Sequence, residues 1–299
     1  MATMRLIVNP VAGRGYAARI EPDVRRVLEG LGVPFEVVRT MQPSQAVALA
    51  EQASLQGCQP VVAVGGDGTV HEVLNGLVRA HANGGPVGTL GVIPAGSGND
   101  FEYMLRTPRG LEGACRQLAE CKTRLIDVGR VDDRYFANGV GIGFDATVNI
   151  VSRRHRRLRG LPLYLLSALE TIFIYYKAPW VTINYDATEL TGRMLMISVA
   201  NGRRIGGGFM VAPEARIDDG LFDLCMARQI SRPQILALIP HVIRGTHVNK
   251  PPVRMARARK VVVTSDDGLP SHVDGEIYTT AAHRIEMEVL PKRLNVVVG

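Results

Sequence analysis

The run Gly65-Gly66-Asp67-Gly68-Thr69 constrains this chain more than any other stretch. It follows an apolar segment, residues 60–64, and precedes a helical pattern over residues 70–78. A buried strand therefore feeds a glycine turn, and the turn opens a helix. Glycines remove the side chains that would keep a phosphate from the backbone amides. The helix N-terminus adds oriented N–H groups and a positive dipole end. Asp67 is the exception in this setting. A carboxylate beside a phosphate repels it unless a divalent cation lies between them or the carboxylate takes a proton from an attacking hydroxyl. That combination points to phosphoryl transfer, although the same residues also make ordinary turns.

The surrounding pattern repeats the theme. Residues 5–8, 35–38, 60–64 and 89–93 read as short strands, and residues 16–30 carry apolar residues at helical spacing. Pro43 and Ser44 open a second helix. This alternation predicts a parallel sheet covered by helices, whose ligands bind beyond the carboxyl ends of the strands. Asn9, Thr40, Gly66 and Ser97 all fall at such ends.

From about residue 125 the texture changes to short strand-like segments separated by turn residues: 125–131, 135–140, 181–185, 194–200, 222–227, 261–264 and 285–290. Helical interruptions fall near 161–177 and 232–244. The expected architecture is an α/β N-terminal domain with a parallel sheet, residues 1–125, and a mostly antiparallel β-sandwich domain, residues 126–290. A chain of 299 residues fits two such cores.

Charge adds a partner class. The formal net charge is +7, and lysine stands only at 122, 177, 250, 260 and 292, so arginine carries most of the positive charge. This suits an anionic partner and equally reflects a bias in composition. A nucleic-acid partner is disfavoured by the lack of an RNA or DNA motif and of an aromatic stacking platform. The four cysteines have no metal spacing, so a zinc site is not expected. With no signal segment before Met4, the expectation is a cytoplasmic protein with free thiols. The arginine-rich stretch 153–159 precedes an apolar helix that holds Glu170 and Lys177, which argues against a membrane span. An amphipathic helix packed on the β-domain is the expectation, with the arginines free to meet acidic lipid head groups at the inner face of a membrane.

Five segments in order carry a resemblance: residues 9–13 (Asn-Pro-Val-Ala-Gly), the run from Gly65 to Glu72, residues 93–101 with Ser97, Asn99 and Asp100, residues 213–222 after an Asn-Gly pair, and the closing Val273-Asp274-Gly275-Glu276. Together they resemble the diacylglycerol kinase family of lipid kinases, in its small bacterial form, over nearly the whole chain. The resemblance implies an ATP-dependent, Mg²⁺-assisted kinase acting on a lipid hydroxyl, such as that of diacylglycerol or phosphatidylglycerol. It implies that ATP lies between the domains and is lined by Asn9, Pro10, Val11, Ala12, Gly13, Thr40, Gly65, Gly66, Asp67, Gly68, Thr69, Val70, His71, Glu72, Ser97, Asn99 and Asp100. It implies a structural Mg²⁺ at Arg216, Asp219 and Leu221, partly through carbonyls, and a general base from Asp274 and Glu276, with Asp67 organising the metal or phosphates. Residues 291–299 are expected to return to the first domain, and an exposed sheet edge would allow a homodimer.

Spacing alone treats Asp218-Asp219-Gly220, Asp266-Asp267-Gly268 and Asp274-Gly275 alike, as turns; only the family pattern separates them. The alternatives are an NAD or sphingoid-base kinase, and a catalytically silent nucleotide or lipid sensor. His71 and Glu102 depart from the family's common residues.

Overall fold

The computed structural model describes residues 3–81, 87–155, 158 and 160–299. The chain divides into two compact units: residues 1–128 with 291–299, and residues 129–290.

In the first unit, β1 (Met4–Val8), β2 (Phe35–Arg39), β3 (Val61–Gly65) and β4 (Val87–Pro94) pair in parallel, in the order β4-β3-β1-β2. The C-terminal segment around Leu294–Val296 adds a further parallel partner beside β4. The central strands β3 and β4 are almost wholly apolar and buried, the composition of a sheet covered on both faces. The edge strand β2 is only half-buried. Helices α1 (Ala12–Gly30), α2 (Gln45–Leu55), α3 (Asp67–Ala80), α4 (Asp100–Leu105) and α5 (Leu111–Glu120) link and cover these strands. Ile20, Val24 and Leu28 of α1 form the apolar stripe expected at helical spacing and pack into a core with Leu6, Val62 and Ile93. Helix α3 is buried over most of its length, because it lies against both α2 and the sheet.

The boundary between units falls within β5 (Thr123–Val131). The second unit holds β6 (Arg134–Phe136), β7 (Gly139–Gly143), α6 (Phe144–Ser152), α7 (Gly160–Glu170), β8 (Trp180–Tyr185), β9 (Thr188–Ala200), β10 (Phe222–Arg228), α8 (Arg232–Arg244), β11 (Val253–Ala258), β12 (Lys260–Val273) and most of β13 (Glu276–Val297). Its strands pair antiparallel in the order β11-β10-β9-β7-β12-β13, with β8 against both β9 and β12. Phe136, Phe222, Ile183, Leu269 and Met287 anchor the core between these strands.

Several expectations need correcting. The single strand expected over 135–140 is two strands, because the amides of Ala137, Asn138 and Gly139 donate to the Asp274 carboxylate instead of continuing one ladder. Asp266-Asp267-Gly268 is not a turn. It lies inside β12, in the irregular stretch between the Thr264–Arg284 and Leu269–Ala282 pairs, where the register with β13 shifts. The helix expected over 161–177 ends as α-helix at Glu170 and continues as a π-helical turn, Thr171–Tyr175. Arg156, Arg157 and Arg159 of the arginine run lie outside the described residues.

Candidate functional site

Three loops converge at the carboxyl ends of β1, β3 and β4. The Asn9 amide extends the sheet by donating to Val64 O (3.1 Å), and its side chain donates to Thr69 Oγ1 (3.1 Å) at the start of α3. Beyond it, Gly13, Arg14 and Gly15 are consecutive left-handed residues (φ 55°, 57° and 83°). This break in α1 turns the loop back, and a Cβ on Gly13 would stand 2.3 Å from Ala95 O. The Ala95 amide donates to Gly65 O at 2.7 Å, which draws the β4 loop against the β3 turn. There Gly66 and Gly96 touch backbone to backbone. Asn99, itself left-handed, caps the loop by accepting from the Gly96 amide (3.0 Å).

Asp67 opens α3, where the helix dipole favours a carboxylate. Its Oδ1 accepts the Phe101 amide (3.2 Å), so it also braces the first turn of α4. Asn9, Pro10, Ala12, Gly13, Gly66, Asp67, Gly68, Ser97 and Asn99 all retain solvent exposure, and Val11 is prominently exposed. Arg14 and Gly15 extend this rim; sequence reading stopped at Gly13, although the Gly-x-Gly spacing was available. Thr40, Gly65, Thr69, Val70, His71 and Asp100 are buried and shape the turns from within. Glu72 also serves α2: its two oxygens accept the amides of Ser44 (3.2 Å) and Ala46 (3.1 Å), capping that helix.

The second unit gathers its own polar features. Asp274 and Gly275 (φ 48° and 83°) make the hairpin turn between β12 and β13. Asp274 Oδ1 accepts the amides of Asn138 (2.9 Å) and Gly139 (2.9 Å), and Oδ2 that of Ala137 (3.0 Å). Glu276, by contrast, is half-exposed and pairs with Arg153 at 2.8 Å.

Asp219 Oδ1 accepts the Leu221 amide (3.2 Å), and Arg257 lies 3.8 Å from its Oδ2. Arg257 also binds Asp223 (3.2 Å). Burial pushes the Asp223 carboxyl up, against the pull of Arg257 and with added repulsion from Asp219 and Glu214. Among the described residues no three His, Cys, Asp or Glu side chains are grouped for a metal. A cation here would draw on Asp219 and on backbone carbonyls. Such a hard-oxygen donor set suits a hard divalent cation, and its charge would relieve the crowded carboxylates. Arg216 is tied to Asp218 at 3.5 Å.

An apolar cavity of about 80 Å³ also lies in this unit, walled by Phe144, Tyr164, Leu195, Ile205, Phe209 and Ile239 among others. A single water needs roughly 10–15 Å³ by the same kind of measure, so the space takes a run of several methylene-sized groups.

A parallel-sheet unit with glycine-rich turns at its strand ends, followed by an antiparallel β-unit, fits a phosphotransferase of the kinase class. Comparison with known proteins makes this specific. Residues 3–131 match the diacylglycerol kinase catalytic domain model, and residues 138–298 match the YegS C-terminal NAD kinase beta sandwich-like domain model. A curated relative, the diacylglycerol kinase of Bacillus subtilis, is 30% identical over 92% of this chain and 90% of its own length. That of Staphylococcus haemolyticus is 29% identical over 91% of this chain and 81% of its own. A solved Bacillus anthracis diacylglycerol kinase overlays with a TM-score of 0.74 at 21% identity, covering 99% of this chain and 97% of its own. An Archaeoglobus fulgidus NAD kinase solved with ATP overlays with a TM-score of 0.55 at 16% identity, covering 99% and 93%. The chain belongs to the diacylglycerol kinase family of lipid kinases.

Proposed function

We propose that this kinase transfers the γ-phosphoryl group of ATP to the hydroxyl of a lipid such as diacylglycerol or phosphatidylglycerol. The observation that carries the reading is the meeting of the Gly65–Thr69 turn with the loops at residues 9–15 and 95–99, which concentrates glycine backbone and a helix N-terminus at the carboxyl ends of the strands. Triphosphate oxygens would meet amide donors there, and those donors stabilise the charge that spreads over the transferring group. Asp67 would orient the phosphate region, with Asn9 fixing the turn through Thr69. A bound Mg²⁺ would supply charge neutralisation at the phosphates.

On the acceptor side, the lipid hydroxyl gives its proton to a carboxylate while its oxygen bonds to the γ-phosphorus and ADP leaves. Asp274 and Glu276 are the carboxylates for that step. The amides hold Asp274 in one place, and the exposed Glu276 is the more accessible of the two. Acyl chains would lie along apolar surface of the second unit.

A peripheral contact with an acidic membrane accompanies this reading. Among the described residues no helix is long and apolar enough to cross a membrane. Yet Phe173 (59% exposed) and Ile174 (65%) of the π-helical turn stand in solvent near Arg154, which contacts Tyr175. Apolar side chains flanked by arginine suit an anionic bilayer surface.

The test is radiolabelled ATP with Mg²⁺, a total lipid extract in mixed micelles and added NAD, followed by identification of the product. Label in a lipid phosphate ester is the expected result. Label only in NADP or a sphingoid-base phosphate would assign one of the related kinase activities instead, and nucleotide binding without transfer to any acceptor would indicate a silent sensor.

A further inference from the structure

One polar cluster in the second unit is left over by the site described above. The antiparallel register aligns Cys225 of β10 with Ser198 of β9, Ser198 with Gly141 of β7, and Gly141 with His272 of β12. The Asp145 carboxylate, from the first turn of α6, lies over this rung. Its Oδ2 accepts from Ser198 Oγ (3.3 Å) and sits 3.3 Å from His272 Nε2. A Cβ at position 141 would stand 2.2 Å from Asp145 Oδ2 and 2.4 Å from His272 Nε2, so glycine there is what makes room for the pair.

His272 is nearly buried, and its protonation pattern follows from its neighbours. The Gly275 amide donates to Nδ1 (3.3 Å), so Nδ1 is the acceptor and the proton sits on Nε2, facing Asp145. His272 thus bridges Asp145 to the turn that carries Asp274. Asp145 is at the same time the one charged residue among those lining the apolar cavity. Among the described residues both of its contacts, the Ser198 hydrogen bond and the approach of His272, fall on Oδ2, which leaves Oδ1 for an incoming donor. A carboxylate at the wall of an apolar slot favours a ligand that presents a hydroxyl there and disfavours one that leaves it unsatisfied.

We propose that Asp145 is a specificity-determining residue that receives the acceptor hydroxyl of the lipid as it binds, before that hydroxyl turns to Asp274 and Glu276 for transfer, and that His272 is a positioning residue locking this carboxylate to the Asp274–Gly275 turn. This rests on the lipid-kinase reading for its substrate class but is tested without turnover. Full-length protein is titrated with a fluorescent fatty-acyl probe, and the probe is displaced by dioctanoylglycerol or by the matching diester of propanediol, which lacks the free hydroxyl. The wild type should prefer the hydroxylated lipid roughly tenfold or more, the range of a hydrogen bond to a charged group. Asp145→Asn should erase most of that preference while binding the hydroxyl-free diester as before, and Leu195→Ala should weaken both ligands alike. His272→Gln, whose amide can still donate toward Asp145, should keep the preference, whereas His272→Asn, which can still accept from Gly275, should lose part of it. If Asp145→Asn does not fold, Ser198→Ala decides the matter by a smaller loss in the same direction. In the transfer assay Asp145→Asn should lower kcat/KM for the lipid. Absence of transfer to any lipid would remove the kinase reading and leave the binding result standing. A wild type without preference, or an Asp145→Asn or Ser198→Ala variant that keeps the full preference, overturns the proposal.

Discussion

A Cβ built on Gly96 would lie 2.3 Å from the Cα of Gly66, and one built on Gly66 would lie 2.8 Å from the Cα of Gly96. Both obstacles are backbone, so neither can swing aside. Gly96→Ala is therefore expected to force apart the loops after β3 and β4, at a cost of about 1–3 kcal/mol in stability. The nucleotide KM should rise more than the melting temperature falls. Gly30→Ala, where a Cβ meets nothing within 4 Å at the end of α1, is the control and should be neutral or slightly stabilising. Melting curves and initial rates against ATP check both; an active Gly96→Ala enzyme with wild-type KM would remove this contact from the nucleotide site.

Asp274 and Glu276 should separate in a second pair of variants. The Asp274 carboxylate serves three backbone amides, and Asn can place only one oxygen where two now accept. Asp274→Asn is expected to lose about 1–3 kcal/mol of stability as well as transfer activity, because a buried amide is left without its acceptor. Glu276→Gln removes a half-exposed carboxylate whose pair with Arg153 contributes little, so its melting temperature should hold while kcat falls. A stable Asp274→Asn with normal kcat would refute both its anchoring and its chemical role.

These two cases show where sequence reading succeeds and where it stops. The Val-Val-Ala-Val-Gly run and the glycines after it announce their strand and turn locally, since burial and chain reversal are local properties of those residues. The break between β6 and β7 is not local: its cause is a carboxylate more than 130 positions later. Glu72 is similar. The family resemblance implies that it lines the nucleotide, and its oxygens also cap a helix that starts 27 positions earlier. The Asp145–His272 pair depends on the register of β7 with β12, which alternation alone does not specify. The Asp266-Asp267-Gly268 run has turn composition, but it is taken up as a bulge between paired stretches of β12, which only the register of the flanking residues fixes.

Acid stability gives a third test. Glu21 of α1 is 2% exposed and bonded to Arg39 Nε (2.7 Å) and Arg25 Nη2 (2.8 Å). Burial pushes its carboxyl up, but the two guanidinium groups outweigh burial and hold it below the ordinary value of 4.5. A carboxylate lowered in the folded state binds fewer protons there than in the unfolded chain, so it stabilises above that ordinary value. The contribution is lost as pH falls through the lowered native value. Wild type and Glu21→Gln should differ in melting temperature at neutral pH, by the equivalent of roughly 1–3 kcal/mol, and converge in acid. A difference that persists undiminished at low pH would mean the glutamine is harmful for packing reasons instead.

The π-helical turn makes the last prediction. Phe173 and Ile174 are more than half exposed on a segment whose neighbours Thr171 and Ile172 are buried, so the turn is fixed in place while its outer side chains remain in water. Trp180, also exposed, lies a few residues further along, and Lys177 is exposed between them. Inserting such side chains into the head-group region recovers part of their apolar transfer energy, and nearby cations add roughly 1 kcal/mol each near an acidic surface. Phe173→Ser with Ile174→Ser should therefore weaken cosedimentation with phosphatidylglycerol vesicles about tenfold or more. Replacing the acidic lipid by phosphatidylcholine, or raising the salt, should weaken wild-type binding separately, because salt screens the arginine and lysine contribution but not the apolar one. Transfer to a short-chain acceptor dissolved as monomers should be the same in variant and wild type, since that reaction needs no surface. Equal vesicle binding by the variant would show that the apolar side chains of this turn serve something other than a bilayer.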